Sequence, residues 1–379
     1  MNFVAFQMLT GDKAKYFGLI FAIAFSTFLM SHQVSIFTGL MNRTQSQILD
    51  IKDADVWVMD RYTQYLDEVK SLTDQDLYRV RGVNGVQWAV PLFKGSTRAK
   101  ARDGVFRAVI LLGVDDASLT GVPRKMLLGT YNSLREPDAV SIDQVAFEFY
   151  FPNQAMRLGD TLEMNDHRVR VVGICDSAAP FQNFPVVYTR YSNALGYVGR
   201  ERNLLSYVLV KPLPGVTGEE VATRIKAATG LEALTYEQFG WRTIWYYIGH
   251  TGIPINFGIT VFIALIVGTV VAGQTFYIFT IENLKQFGAL KAIGVTNWRI
   301  TGMILLQAFV VGAIGYSIGI AMTAAFFETT KNVLDLRGFV LLGEIAGGTA
   351  VAVFLIVILA SLLSIRRVLV LEPAVVFRG

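Results

Sequence analysis

Four apolar runs, Tyr16 to Leu40, Ile253 to Ile281, Gly302 to Phe327 and Phe339 to Ser364, constrain this chain more than anything else in it. A bilayer crossing takes about 20 mostly apolar residues at about 1.5 Å each, and every run is long enough. The whole chain agrees: 53% hydrophobic against 17% charged residues is not the balance of an ordinary soluble domain. A membrane protein with four transmembrane α-helices is expected. The first run has a short clean centre, "FGLIFAIAFSTFLM", before Ser31, His32 and Gln33, which is the size of a signal-peptide core. No A-x-A-like site follows and "VSIFTGL" resumes the apolar pattern, so the run reads as an uncleaved helix.

Basic residues beside the runs set the orientation, because cytoplasmic flanks carry the excess of Lys and Arg. Lys13 and Lys15 precede the first run, Lys285, Lys291 and Arg299 separate the second from the third, and Arg366 and Arg367 follow the fourth. All three groups fall on one side, which puts both termini in the cytoplasm. The expected order is a cytoplasmic segment 1–15, span one 16–40, an outer domain 41–252, span two 253–281, a cytoplasmic segment 282–301, span three 302–327, an outer loop 328–338, span four 339–364 and a cytoplasmic tail 365–379. At the start, Phe3, Phe6 and Leu9 recur every three residues ahead of "GDKAK", as in a helix lying in the interface; a frayed terminus fits as well. Span two as one helix would measure roughly 43 Å, beyond a core of about 30 Å, and so is read as tilted or as projecting outward as a stalk.

Between Met41 and Gly252 the pattern is that of a mixed α/β domain large enough for its own core. "DADVWVMD", "GVFRAVILLGVD", "DAVSID", "HRVRVVGIC", "FPVVYTR" and "SYVLVKP" are β-branched or aromatic runs bounded by turn residues, hence strands. "TDQDLYRVRGV" and "TGEEVATRIKAATG" have helical spacing, the second with Thr217 and Glu220 in capping-box positions. Nothing there points to catalysis. Asp115 with Asp116 and Glu219 with Glu220 read as turns and helix starts. Asn165 and Asp166 form a hairpin turn before a strand, and Cys175 is a small core residue. One cysteine excludes an internal disulfide, and His32, His167 and His250 are too far apart in sequence to suggest a metal cluster. A net charge of +4, gathered beside the apolar runs, argues against nucleic acid as a partner. "GYSIG", Gly315 to Gly319, satisfies G-x-S-x-G, but it lies inside an apolar run where no nucleophile elbow can form. Gly312, Gly315 and Gly319 are instead helix-packing positions, the last two in small-xxx-small spacing.

The most informative stretch is "ENLKQFGALKAIGVTNWRI", Glu282 to Ile300. Leu284, Phe287, Leu290 and Ile293 come every three residues, so on a helix they drift by about 60° per step and fan over half its circumference. Gly294 is a helix stop, and the Thr296 side chain can cap a second helix. An interfacial elbow that merely connects two spans fits this pattern, and so does a helix that docks on a cytoplasmic partner.

The same stretch resembles the coupling segment of FtsX-like permeases, the membrane subunits of MacB-type (type VII) ABC transporters. Glu282, Gln286, Phe287, Gly288, Leu290, Lys291, Ala292, Ile293, Gly294 and Val295 carry the likeness. "LGDTLEMNDHRVRVVGI" is similar to a strand pair of that family's outer domain, "LEPAVVFRG" to its C-terminal tail, and the order of one span, outer domain and three spans covers the whole chain. Within the family, "LLGVDDASLTGVPRKMLLGTYNSLREPDAVSID" and the "VFRG" end look most like the DevC branch.

The resemblance implies a permease subunit of an export system in a bacterial inner membrane. It implies no catalysis in this chain, a separate ABC ATPase that binds ATP and Mg, a homodimer, a periplasmic HlyD-like adaptor and a TolC-like outer-membrane duct. Efflux of a lipid-like or amphiphilic cargo by mechanotransmission follows from it, with Glu282, Leu284, Gln286, Phe287, Leu290, Lys291 and Ile293 coupling to the ATPase. Unlike MacB itself, the chain carries no fused ATPase and no G-x-x-x-x-G-K-(S/T). Three rivals stand beside this reading: extraction of lipoprotein or a haem-like amphiphile without a duct, FtsX-like regulation of a wall hydrolase, and a membrane-anchored sensor or enzyme whose elbow is passive.

Overall fold

The structure, a computed structural model, describes residues 2–123, 125–199, 205–331, 333 and 336–370. Two units divide it: the segments before Leu40 and after Thr251 form one, and Leu40–Thr251 the other. The chain begins with α1 (Asn2–Gly11) and enters α2 (Lys13–Thr44) at Asp12, whose carboxylate accepts from the Lys15 backbone N–H at 3.2 Å and from its ammonium at 2.6 Å. That contact holds the Asp12 carboxyl below its ordinary range. α1 turns Ala5, Met8 and Leu9 inward and leaves Phe3 and Phe6 exposed. The stripe read from the sequence therefore splits. Steps of three residues rotate by about 60°, so Leu9 stands about 120° from Phe3 and packs on protein.

The second unit contains α3 (Ser46–Asp50), β1 (Val56–Met59), α4 (Asp74–Arg81), β2 (Val86–Lys100), β3 (Phe106–Val114), β4 (Met126–Gly129), β5 (Ala139–Asp143) and α5 (Gln144–Tyr150). It continues with β6 (Thr161–Met164), β7 (His167–Cys175), β8 (Val186–Arg190), α6 (Tyr191–Gly196), β9 (Tyr207–Pro212), α7 (Gly218–Thr229), β10 (Glu232–Thr235) and α8 (Tyr236–His250). The strands form one sheet in the order β10-β1-β9-β2-β3-β8-β5-β7-β4, with β6 beside β2 and β7. β1, β3, β5, β7, β8 and β9 lie in the six runs read as strands. α4 and α7 begin in capping boxes at Thr73 and Thr217. Asn165 and Asp166 both have positive φ in the β6–β7 turn, where Met164 faces His167.

β2 is what the sequence concealed. Pro91, Gly95 and the basic residues Lys94, Arg98 and Lys100 interrupt any alternation, yet this strand joins the two halves of the sheet. Val86–Leu92 pairs with β9, and Phe93–Lys100 pairs with β3. A segment with a strand neighbour on one side only is the setting in which proline is tolerated. β1 is buried on both faces: Val56 and Val58 join the core under α4 and α7, while Trp57 and Met59 join another with Tyr207 and Phe239. That explains an apolar run without alternation.

From Ile253 the first unit resumes with α9 (Ile253–Glu282), α10 (Leu284–Ala292), α11 (Asn297–Thr330) and α12 (Gly343–Leu369). α2, α9, α11 and α12 are long and apolar enough to cross a membrane. The fourth helix starts later than its apolar run. Leu342 is its extended N-cap, and Phe339 precedes the helix with its ring in the space a Cβ on Gly39 would take. Hydropathy records composition, not where the helix begins.

Small residues set the spacing of these helices. A Cβ on Gly315 would meet Ile23 at 2.8 Å, one on Gly319 the Ala24 carbonyl oxygen at 2.5 Å, and one on Gly312 the Val357 side chain at 2.5 Å. α11 thus meets α2 through Gly315 and Gly319, and α12 through Gly312. The Ser31 and Thr323 hydroxyls share a buried hydrogen bond of 2.6 Å between α2 and α11. "GYSIG" is interior helix, as its apolar context required.

Candidate coupling site between the second and third spans

A single residue, Asn283, separates α9 from α10. Its backbone N–H and its Nδ2 both donate to the Phe279 carbonyl, at 3.2 and 2.8 Å, which closes α9. Its own carbonyl accepts from the N–H groups of Gln286 and Phe287 at 3.1 Å each, which opens α10. The far end of α10 is a Schellman turn. Gly294 has φ +90°, its N–H donates to the Lys291 carbonyl at 3.0 Å, and the Val295 N–H donates to the Leu290 carbonyl at 3.0 Å. Leu290 and Val295 pack on the same core, the apolar contact that accompanies such a turn. Thr296 then starts α11 in an extended conformation, its carbonyl accepting from Arg299 and Ile300. The Thr296 hydroxyl makes no capping bond, contrary to the sequence reading; the backbone alone does this work.

The fan of apolar side chains is real, and it sorts them into two roles. Phe287 is 0% exposed inside the first unit's core, and Leu284 and Leu290 pack against that core half-buried. Ile293, half a turn away from Leu284 on the drifting spacing, is 80% exposed. Phe287 therefore corrects the expectation that its ring contacts a partner: it is the floor of the site. Gln286 and Lys285 lie on the exposed face.

The charged positions are fastened inward. Glu282 pairs with Lys15, joining the end of α9 to the start of α2. Lys291 Nζ donates to the Val368 and Leu369 carbonyls at 2.8 and 2.9 Å. Its partial burial lowers its pKa from the ordinary lysine value. Lys15, Lys291 and the end of α12 with Arg366 and Arg367 thus lie at one end of the helix set.

Trp298 is the residue that sequence reasoning passed over. It is 85% exposed, the most exposed large apolar side chain of the segment. The signal was available: Ile300, Met303, Ile304 and Gln307 form the buried stripe of α11, and Trp298 falls off it. Among the described residues no group of His, Cys, Asp and Glu side chains could hold a metal ion. Cys175 is buried, its thiol pKa pushed up by desolvation. The C-terminal "LEPAVVFRG", which carries part of the family resemblance, lies outside the described residues.

Comparison with known proteins decides the family. Residues 17–228 match the MacB-like periplasmic core domain, and residues 258–373 match the FtsX-like permease C-terminal region. The chain is an FtsX-like, MacB-type permease. An uncharacterised ABC transporter permease of Mycobacterium tuberculosis is 24% identical over 363 residues, covering 93% of this permease and 94% of that protein. Another from Methanocaldococcus jannaschii is 23% identical over 239 residues, covering 60% and 59%. The periplasmic region of MacB from Actinobacillus actinomycetemcomitans aligns at a TM-score of 0.39 and 18% identity, over 54% of this chain and 96% of that one. The permease is a membrane subunit, four helices and an α/β domain between the first and second of them.

Proposed function

We propose that this permease receives the work of a separate ABC ATPase at the turn between α10 and α11, and that Ile293 and Trp298 are the anchors of that contact. The observation that carries the proposal is their exposure, 80% and 85%, on either side of the Gly294 turn above a floor of buried Phe287. Large apolar side chains exposed beside Lys285 and Arg299 suit cover by a partner, and tryptophan is enriched among the anchors of buried interfaces. In this reading Phe287, Leu284 and Leu290 act from beneath by holding the turn rigid, Gln286 stands on the exposed face, and Glu282 and Lys291 fasten it to neighbouring helices.

The excess of basic residues at this end supports a cytoplasmic position for it and for both termini, in a bacterial inner membrane. ATP and Mg belong to the partner ATPase. Two copies of the permease pair with two ATPase subunits. α9, helical without interruption for 30 residues, carries the displacement outward to the α/β domain. There a HlyD-like adaptor and a TolC-like duct complete an efflux path of the DevC kind. The buried polar contact described between α2 and α11 is the hydroxyl pair Ser31 and Thr323, which suits a lipid-like or amphiphilic cargo handled outside the helices rather than a charged one passing between them.

Ile293→Asp and Trp298→Asp each should weaken ATPase binding about tenfold to hundredfold, in line with hot-spot losses of about 1.4–3 kcal/mol. Thermal stability should not change, because neither side chain packs on the permease. Affinity measured with the permease in nanodiscs decides it; wild-type binding by both variants would remove the assignment.

A further inference from the structure

No stretch of chain joins α12 directly to the docking turn; α11 and the segment 331–342 intervene. The inner end of α12 is nevertheless tied to α10, because Lys291 Nζ donates to the Val368 carbonyl at 2.8 Å and to the Leu369 carbonyl at 2.9 Å. Carbonyls in a last helical turn have no intrahelical donor, and the helix dipole makes that end negative. An ammonium with three donors on a flexible stem satisfies two of them at once. Val368 is itself fully buried and Leu369 is exposed, so the junction lies at the edge of the packed core. Both hydrogen bonds are made only when α10 and the end of α12 keep this spacing, which favours one arrangement of the two helices.

Two other polar ties among the described residues at this end reach different elements. Lys15 joins α2 to the end of α9 through Glu282, and Gln307 Nε2 donates to the Ala5 carbonyl at 2.7 Å to hold α1 on α11. Lys291 alone among these reaches α12. From there α12 runs against its neighbours at close-approach positions: a Cβ on Gly273 of α9 would lie 3.5 Å from the Ala360 backbone, and Gly312 of α11 faces Val357. A displacement delivered to the end of α12 is therefore delivered to a helix in contact with both.

On the docking reading above, we infer that Lys291 is a positioning residue that makes the inner end of α12 move with the docking helix. Its ammonium is turned to the permease, so it serves transmission and not the grip on the ATPase.

The test uses the full chain in nanodiscs with its ABC ATPase, comparing Lys291→Met and Lys291→Arg. Spin labels at Gln286→Cys and Val370→Cys report on the α10 to α12 junction, Cys175 being buried and out of reach. Lys291→Met should leave ATPase affinity unchanged, lower permease-dependent stimulation of ATP hydrolysis about tenfold, as loss of a charged hydrogen bond would, and broaden the label distance distribution. Lys291→Arg, which can donate to the same carbonyls, should restore both. Full stimulation in Lys291→Met overturns the inference, and so does an unchanged distance distribution. Should the wild-type chain fail to bind the ATPase, the docking reading falls alone: a broadened distribution in Lys291→Met would still support the junction, and an unchanged one would still remove it.

Discussion

A methyl group decides whether α11 can lie where it does. At Gly319 an added Cβ would stand 2.5 Å from a backbone oxygen of α2, which cannot move aside as a side chain can, whereas at Gly347 of α12 nothing lies within 4 Å. Gly319→Val should therefore cost roughly 1–3 kcal/mol of stability by overpacking. Gly347→Ala should be neutral, or stabilising by up to about 1 kcal/mol, because a helix-interior glycine loses propensity relative to alanine. Thermal unfolding of the two variants in the same detergent checks the contrast, and equal effects would show that α11 is not held by close approach. The glycine spacing was legible in the sequence. Which helix each glycine meets was not, because small-xxx-small marks a permissive face without naming the partner, and Gly312 meets α12 while Gly315 and Gly319 meet α2.

At the scale of elements, the connector from α9 to α11 shows how far local rules reach. Gly294 as a helix stop follows from backbone sterics alone, and the structure shows it at φ +90° with both Schellman bonds made. Gly294→Ala should strain this turn by about 1 kcal/mol and speed hydrogen exchange of the Gly294 and Val295 region without unfolding the spans; unchanged exchange there would show that the turn is held by tertiary packing instead. The capping box of α7 was readable for the same reason, since Thr217 and Glu220 bond within one turn. β2 was not readable, because its pairing with β9 and β3 depends on residues more than a hundred positions away in one case. Nor was the sorting of Phe287 inward and Ile293 outward, although the three-residue drift showed that both could not share one face.

For the whole molecule, the chain leaves the helical unit at Gly39 and returns at Gly252, and the segment between has its own cores on the two faces of one sheet. Residues 40–251 produced alone should fold cooperatively, as a single transition by circular dichroism with the near-ultraviolet signal of buried Trp57. A broad, non-cooperative change would mean that this unit needs the helices. By itself the sequence determined that the chain crosses a membrane four times, that an α/β domain interrupts the crossings, and where the helices beside Gly294 stop and start. These are consequences of composition, period and local sterics, which act within a few turns of chain. Only the tertiary structure decided that Phe287 is a floor and Trp298 a tip, that Glu282 answers Lys15, and that Lys291 closes the end of α12. Each of those depends on which distant helix fills the space beside a residue, and burial and pairing are properties of that space rather than of the residue.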